Sequence, residues 1–107
     1  MAIKNINGKE LKKMLDENPA DLEIIDVREQ YEYDEIRIKN SKLIPLSEIG
    51  ARISEINWNK RVILVCRSGA RSGYVAQALA ANGKNTINLA GGIYTLDLEQ
   101  CDCLEKN

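Results

Sequence analysis

The apolar run Val62-Ile63-Leu64-Val65 leads without a break into Cys66-Arg67-Ser68-Gly69-Ala70-Arg71-Ser72, and that segment leads into the helix-like stretch Tyr74-Val75-Ala76-Gln77-Ala78-Leu79-Ala80. An uninterrupted branched apolar run of this kind reads as a strand covered on both faces, and so as the centre of a sheet. A strand that turns directly into a helix asks for a parallel α/β arrangement. The junction also places a sulfur where loop N–H groups and the positive end of a helix dipole converge, with Arg67 and Arg71 close by in sequence. This turn favours an anion on or beside Cys66.

The rest of the chain supports the alternation. Ile3 to Ile6 reads as an edge strand, and Asn7 as the cap of a helix reaching Glu17, with Leu11, Met14 and Leu15 on one face. Leu22 to Val27 is a buried strand that delivers Asp26 and Arg28 at its carboxyl end, where α/β sheets place their sites. Residues 29 to 36 form a short polar helix, and Leu43-Ile44 a brief strand stopped at Pro45. Ile49, Ile53 and Ile56 lie at helical spacing behind Ser47 as a cap. The helix after Cys66 runs to Asn82-Gly83 with Val75, Ala78 and Leu79 facing inward. Thr86 to Leu89 is one more strand, Gly91-Gly92 a turn, and Ile93 to Glu99 a last helix. The expected fold is a parallel sheet of about five short strands with helices on both faces. One domain is expected over residues 1–107, with its core over 3–98 and a tail over 99–107 polar enough to fray.

Composition removes several classes of function. The net charge of −1, with acids and bases interspersed, argues against nucleic acid as a partner. The apolar runs are too short for a membrane span, and no secretory leader is evident, so a cytoplasmic monomer is expected. The chain has no histidine, which excludes a Cys-His pair, a Ser-His-Asp triad and a His-containing zinc site. Cys66 must therefore be activated by backbone dipoles, arginines or a helix terminus. Three cysteines, at 66, 101 and 103, do not make a disulfide framework, and at least one thiol is expected to be free.

Several separated motifs, taken together, resemble a single-domain rhodanese-like sulfurtransferase. They are Asp26-Val27-Arg28-Glu29 with Glu32-Tyr33 behind it, Ile44-Pro45-Leu46, the strand and loop through Ser72, and Leu89-Ala90-Gly91-Gly92-Ile93. The resemblance implies that Cys66 takes a sulfane sulfur from a donor such as thiosulfate, becomes a persulfide, and passes the sulfur to a thiol, to cyanide or to a sulfur-carrier protein. It implies no cofactor and no metal. Arg67, Ser68, Gly69, Ala70, Arg71 and Ser72 would form the substrate cradle. Asp26 and Arg28 would support it, with Asp26 an ion-pair partner of Arg71 or Arg28. The chain departs from the family pattern at Ile36-Arg37-Ile38, where Gly-His-Ile is common, and at Leu96, where Trp is frequent.

Two rival readings are weighed. A phosphatase of related fold would also use a cysteine in a loop of N–H groups, but with C-x5-R spacing around a tetrahedral phosphate. Cys66 and Arg71 give C-x4-R, a tighter ring, and no general-acid Asp lies in or just after the loop. A non-catalytic binding module is the other rival, and the presence of Cys66 with both arginines favours an enzyme. Cys101 and Cys103 admit a sulfur relay from Cys66. The plainer reading is two tail thiols without a task.

Overall fold

The computed structural model describes residues 3–107; Met1 and Ala2, which the expected domain includes, lie outside the described residues. Five strands form the main sheet: β1 (Lys4–Ile6), β2 (Leu22–Asp26), β4 (Lys42–Leu43), β5 (Arg61–Val65) and β6 (Ile87–Leu89). Their order is β1-β6-β5-β2-β4, and every pairing is parallel. The strand that precedes Cys66 lies in the middle, as its unbroken apolar run requires.

Four helices cover the sheet: α1 (Gly8–Glu17), α2 (Gln30–Glu35), α3 (Ala70–Ala81) and α4 (Gly92–Leu98). Alternate residues of the central strands feed two apolar clusters. Ile24, Ile63 and Val65 pack with Leu11 of α1 and with Ile93 and Leu96 of α4. Ile25, Val62, Leu64 and Cys66 pack with Val75, Ala76 and Leu79 of α3. Asn7 caps α1 with a reciprocal capping box, its Oδ1 accepting from the Glu10 N–H while Glu10 accepts from the Asn7 N–H.

Four expectations change. The isoleucines at 49, 53 and 56 do not lie on one helix; two 3₁₀ turns, Leu46–Glu48 and Ile53–Glu55, stand in its place, and Ser47 caps nothing. Gly50 and three β-branched residues carry little helix propensity, and Arg52 is gripped by Glu48 and Glu55 on either side. Ala78 of α3 is exposed, and Ala76 and Ala80 take the inward positions. The tail carries a strand: β7 (Leu104–Lys106) pairs antiparallel with β3 (Ile36–Ile38), the segment that departs from the family pattern. Cys101 and Cys103 are joined by a disulfide rather than standing as two tail thiols, and Cys66 is the free cysteine.

Register fixes where the site forms. Asp26 is paired with Val65, so the carboxyl ends of β2 and β5 are level and Asp26 stands beside the entry to the Cys66 loop. Beyond β6 the chain turns at Gly91-Gly92 and starts α4 against that same loop.

Candidate active site

Cys66 leaves β5 buried, with 1% of its surface exposed, and the chain then wraps around its sulfur. Gly69, at φ +97°, ends the turn and caps α3. Its left-handed conformation is one that side chains resist, and a Cβ there would press against the backbone of Leu89 and Gly91. Cys66 Sγ accepts from the Gly69 N–H at 3.1 Å and the Ser72 N–H at 3.4 Å, and the Ser72 hydroxyl lies within donating reach of it at 3.3 Å. The Ser72 N–H belongs to the first turn of α3, where N–H groups lack helical partners, so the sulfur occupies the place of a capping oxygen.

The loop can aim its N–H groups inward because its carbonyls are bound elsewhere. The first turn of α4 takes them: Ile93 N–H donates to Cys66 O and Tyr94 N–H to Arg67 O, both at 2.9 Å. This contact requires Gly92, at φ +57°, since a Cβ there would overlap the carbonyl oxygens of Cys66 and Arg67. The second glycine of Gly91-Gly92 is therefore required by the cysteine loop as well as by the left-handed backbone of its own turn.

Burial pushes the Cys66 thiol up, because it penalises the anion. The hydroxyl and N–H of Ser72, with the N–H groups of Gly69 and Ser68, outweigh burial and hold the thiol below its usual range. The arrangement favours a thiolate without a base.

Arg71 donates no hydrogen bond to the sulfur and does not pair with Asp26. Its guanidinium makes a two-pronged bond to Glu32 of α2, at 2.9 Å to each oxygen. Glu32 is held down to about 2 by that guanidinium, against an opposing contribution from burial. Arg71 is correspondingly raised by Glu32. A depressed carboxyl contributes its stability fully above the unfolded value near ~4.3 and loses it as pH falls toward 2. The Arg71–Glu32 lock is therefore complete at neutral pH and opens only in that acid window. Carboxyl-resolved NMR titration is expected to place the Glu32 midpoint near 2; a midpoint in the ordinary carboxylate range would mean that the pair does not form in solution.

Asp26 pairs with Arg28, the second of its two expected partners. The pair is buried, with side chains 1% and 3% exposed and the shortest contact at 2.8 Å. Arg28 also donates to Ile36 O at 2.6 Å and to Glu32 O at 3.4 Å, tying the end of β2 to the middle and the C-terminal end of α2. Asp26 and Arg28 thus reach the loop at one remove, by holding the helix whose Glu32 holds Arg71. Arg67, Ser68 and Ala70 are exposed at the loop's outer side. Arg67 makes no ion pair among the described residues and lines a cavity of about 210 Å³ with Arg28, Glu32, Tyr94 and Asp97.

Glu32, Asn88 and Gly92 were not among the residues that the sequence marked for the site. Asn88 had the clearest signal, a polar residue set between Ile87 and Leu89 in an interior strand. The buried polar or charged side chains among the described residues are Asp26, Arg28, Ser72 and Asn88. All four belong to networks that end on the Cys66 loop. The described residues contain no cluster of ligating side chains able to hold a metal. No described helix is long and apolar enough to cross a membrane.

A parallel α/β sheet whose central strand delivers a cysteine into a ring of N–H groups defines a thiol-anion loop protein. The comparisons with known proteins make the class specific. Residues 7–96 match the model of the rhodanese-like domain, and the chain belongs to that family. A rhodanese-like domain protein of Staphylococcus aureus superposes with a TM-score of 0.83 at 34% identity, covering 98% of this chain and 99% of that one. A protein of Allochromatium vinosum named as a sulfurtransferase is 32% identical over 92 residues, covering 85% of each chain. A candidate sulfur carrier protein of Bacillus subtilis, YrkF, is 34% identical over 93 residues; the match covers 86% of this chain and only 50% of that protein's length. Sulfur transfer is thus the activity that the family supports.

Proposed function

We propose that residues 1–107 act as one catalytic unit, a thiosulfate sulfurtransferase working through a Cys66 persulfide. The observation that carries this reading is the set of donors on one buried sulfur: two N–H groups and a hydroxyl within 3.4 Å of Sγ. Such a set stabilises negative charge at a fixed point, its backbone N–H groups without reorganisation as charge arrives or leaves.

In the first half-reaction the Cys66 thiolate attacks the outer sulfur of thiosulfate. The new S–S bond forms as the S–S bond of the donor breaks, and sulfite leaves with the electron pair. In the second, a nucleophilic acceptor attacks the outer sulfur of the persulfide, and the bond to Sγ breaks with its pair returning to Cys66 as thiolate. A thiol, cyanide or a sulfur-carrier protein meets the requirement of a nucleophile at the loop mouth. Arg67, exposed and unpaired with any acid among the described residues, is the first cation that an incoming dianion meets. Arg71, neutralised by Glu32, shapes the loop more than it binds. The same pairing weakens the phosphatase reading, which needs that guanidinium free to grip a phosphoryl group.

Intact-mass spectrometry after exposure to thiosulfate tests the proposal. A gain of one sulfur is expected, absent in Cys66→Ser and retained when both Cys101 and Cys103 are changed to Ser. No gain from any sulfane donor would leave the binding-module reading in its place.

A further inference from the structure

Asn88 is buried on β6, three residues before Gly91, and faces the Cys66 loop. Its Nδ2 donates to Asn5 Oδ1 at 2.9 Å and to Gly69 O at 3.3 Å. Those acceptors fix the orientation of the amide and turn its oxygen toward Ser72, whose hydroxyl lies 2.5 Å from Asn88 Oδ1 and 3.3 Å from Cys66 Sγ. A serine hydroxyl carries one proton. It can be given to Asn88, at 2.5 Å, or to the sulfur, at 3.3 Å; both lie within hydrogen-bond reach, and the closer acceptor is Asn88.

We propose that Asn88 is a positioning residue for Cys66, acting through Ser72: its amide oxygen holds the Ser72 hydroxyl proton while Sγ is neutral and yields it when Sγ becomes an anion. The inference rests on the persulfide reading for its part in turnover. As the thiolate attacks the donor, negative charge leaves Sγ and the hydroxyl turns back to Asn88. As the acceptor cleaves the persulfide, the electron pair returns to Sγ and the hydroxyl turns to meet it. No atom is transferred; one hydrogen bond is exchanged for another. The surroundings permit this exchange because the other partners of Asn88 do not depend on it. Gly69 O also accepts from the Gly73 N–H at 3.0 Å, and Asn5 is exposed to water.

The same geometry gives a definite sign. With the Asn88 oxygen removed, the hydroxyl has the sulfur as its remaining acceptor and the thiolate gains. A loosened cradle would do the reverse, since every donor lost to Sγ favours the neutral thiol. The experiment is the pH dependence of Cys66 alkylation by iodoacetamide on the full chain, with the modified peptide identified by mass. It requires no sulfur donor, so it stands apart from the persulfide test: a wild-type protein that gains no sulfur overturns the transfer reading alone.

Asn88→Leu, a side chain of similar size, is expected to lower the alkylation midpoint by about one pH unit, roughly a tenfold rise in thiolate fraction below it. In a Ser72→Ala background the same substitution is expected to leave the midpoint where it was. The Arg71–Glu32 and Asp26–Arg28 pairs are untouched by either change. A midpoint that rises or stays put in Asn88→Leu, or a fall that persists without the Ser72 hydroxyl, overturns the proposal. Should Asn88→Leu not fold, Asn88→Asp keeps an acceptor oxygen in place and is expected to hold the midpoint at or above the wild-type value. A fall there would equally overturn it.

Discussion

Gly92→Ala is expected to cut sulfur transfer by about a hundredfold and to destabilise the fold by roughly 2–4 kcal/mol. The added methyl meets no flexible side chain that could swing aside. It meets the carbonyls of Cys66 and Arg67. Relief requires α4 to withdraw from the loop, which breaks the bonds from the Ile93 and Tyr94 N–H groups and frees the loop carbonyls to rotate inward. Gly83→Ala is the control. That residue has a similarly positive φ of +78° but open space around it, so only the backbone penalty of about 1–2 kcal/mol applies and turnover is preserved. Urea unfolding and steady-state assays on the two variants separate the cases. If they behave alike, the carbonyl clash has no part in the loop.

Arg28→Ala is expected to cost about 3–5 kcal/mol, a large fraction of the stability of a domain this size. The loss comes less from the missing attraction than from leaving Asp26 charged, buried and without its partner. Replacing both residues by apolar ones of similar volume is expected to recover much of the stability. It should not restore the loop, because Arg28 is also what fastens Ile36 O and Glu32 O. Stability would then return while the Glu32 carboxyl drifts back toward its ordinary range. Equal losses in the single and double variants would show that the buried pair is not a charge-compensation unit.

What was legible in the chain, and what was not, follows from the range of the forces involved. The Val62–Val65 run, the Asn7 cap and the Cys66 turn are local patterns whose meaning does not depend on distant partners, and each stands in the structure as read. The segment from Leu46 to Ile56 misleads because helical spacing of isoleucines satisfies burial equally well in two 3₁₀ turns, and Gly50 tips the balance toward the shorter form. The tail was read from polarity alone. Nothing near Leu104 announces that Ile36–Ile38 offers an unpaired edge some seventy residues earlier. Arg71 was assigned to the ligand because arginine near a nucleophile invites it; its engagement by Glu32 depends on how α2 sits over the loop, which is set by the buried Asp26–Arg28 pair. Asn88 was visible as an anomaly in a strand, but its task required knowing that β6 lies beside β5.

The way α4 takes up the loop carbonyls has a consequence for the birth of the protein. On a ribosome, Cys66 emerges well before Asn88, Gly92, Ile93 and Tyr94, and parallel strands joined over long sequence separations form late. Until those downstream residues dock, nothing fixes the loop N–H groups on the sulfur, and the nascent chain carries an ordinary thiol. The lowering of the Cys66 thiol is thereby deferred to the end of folding, and until then the chain carries the thiol of an ordinary free cysteine.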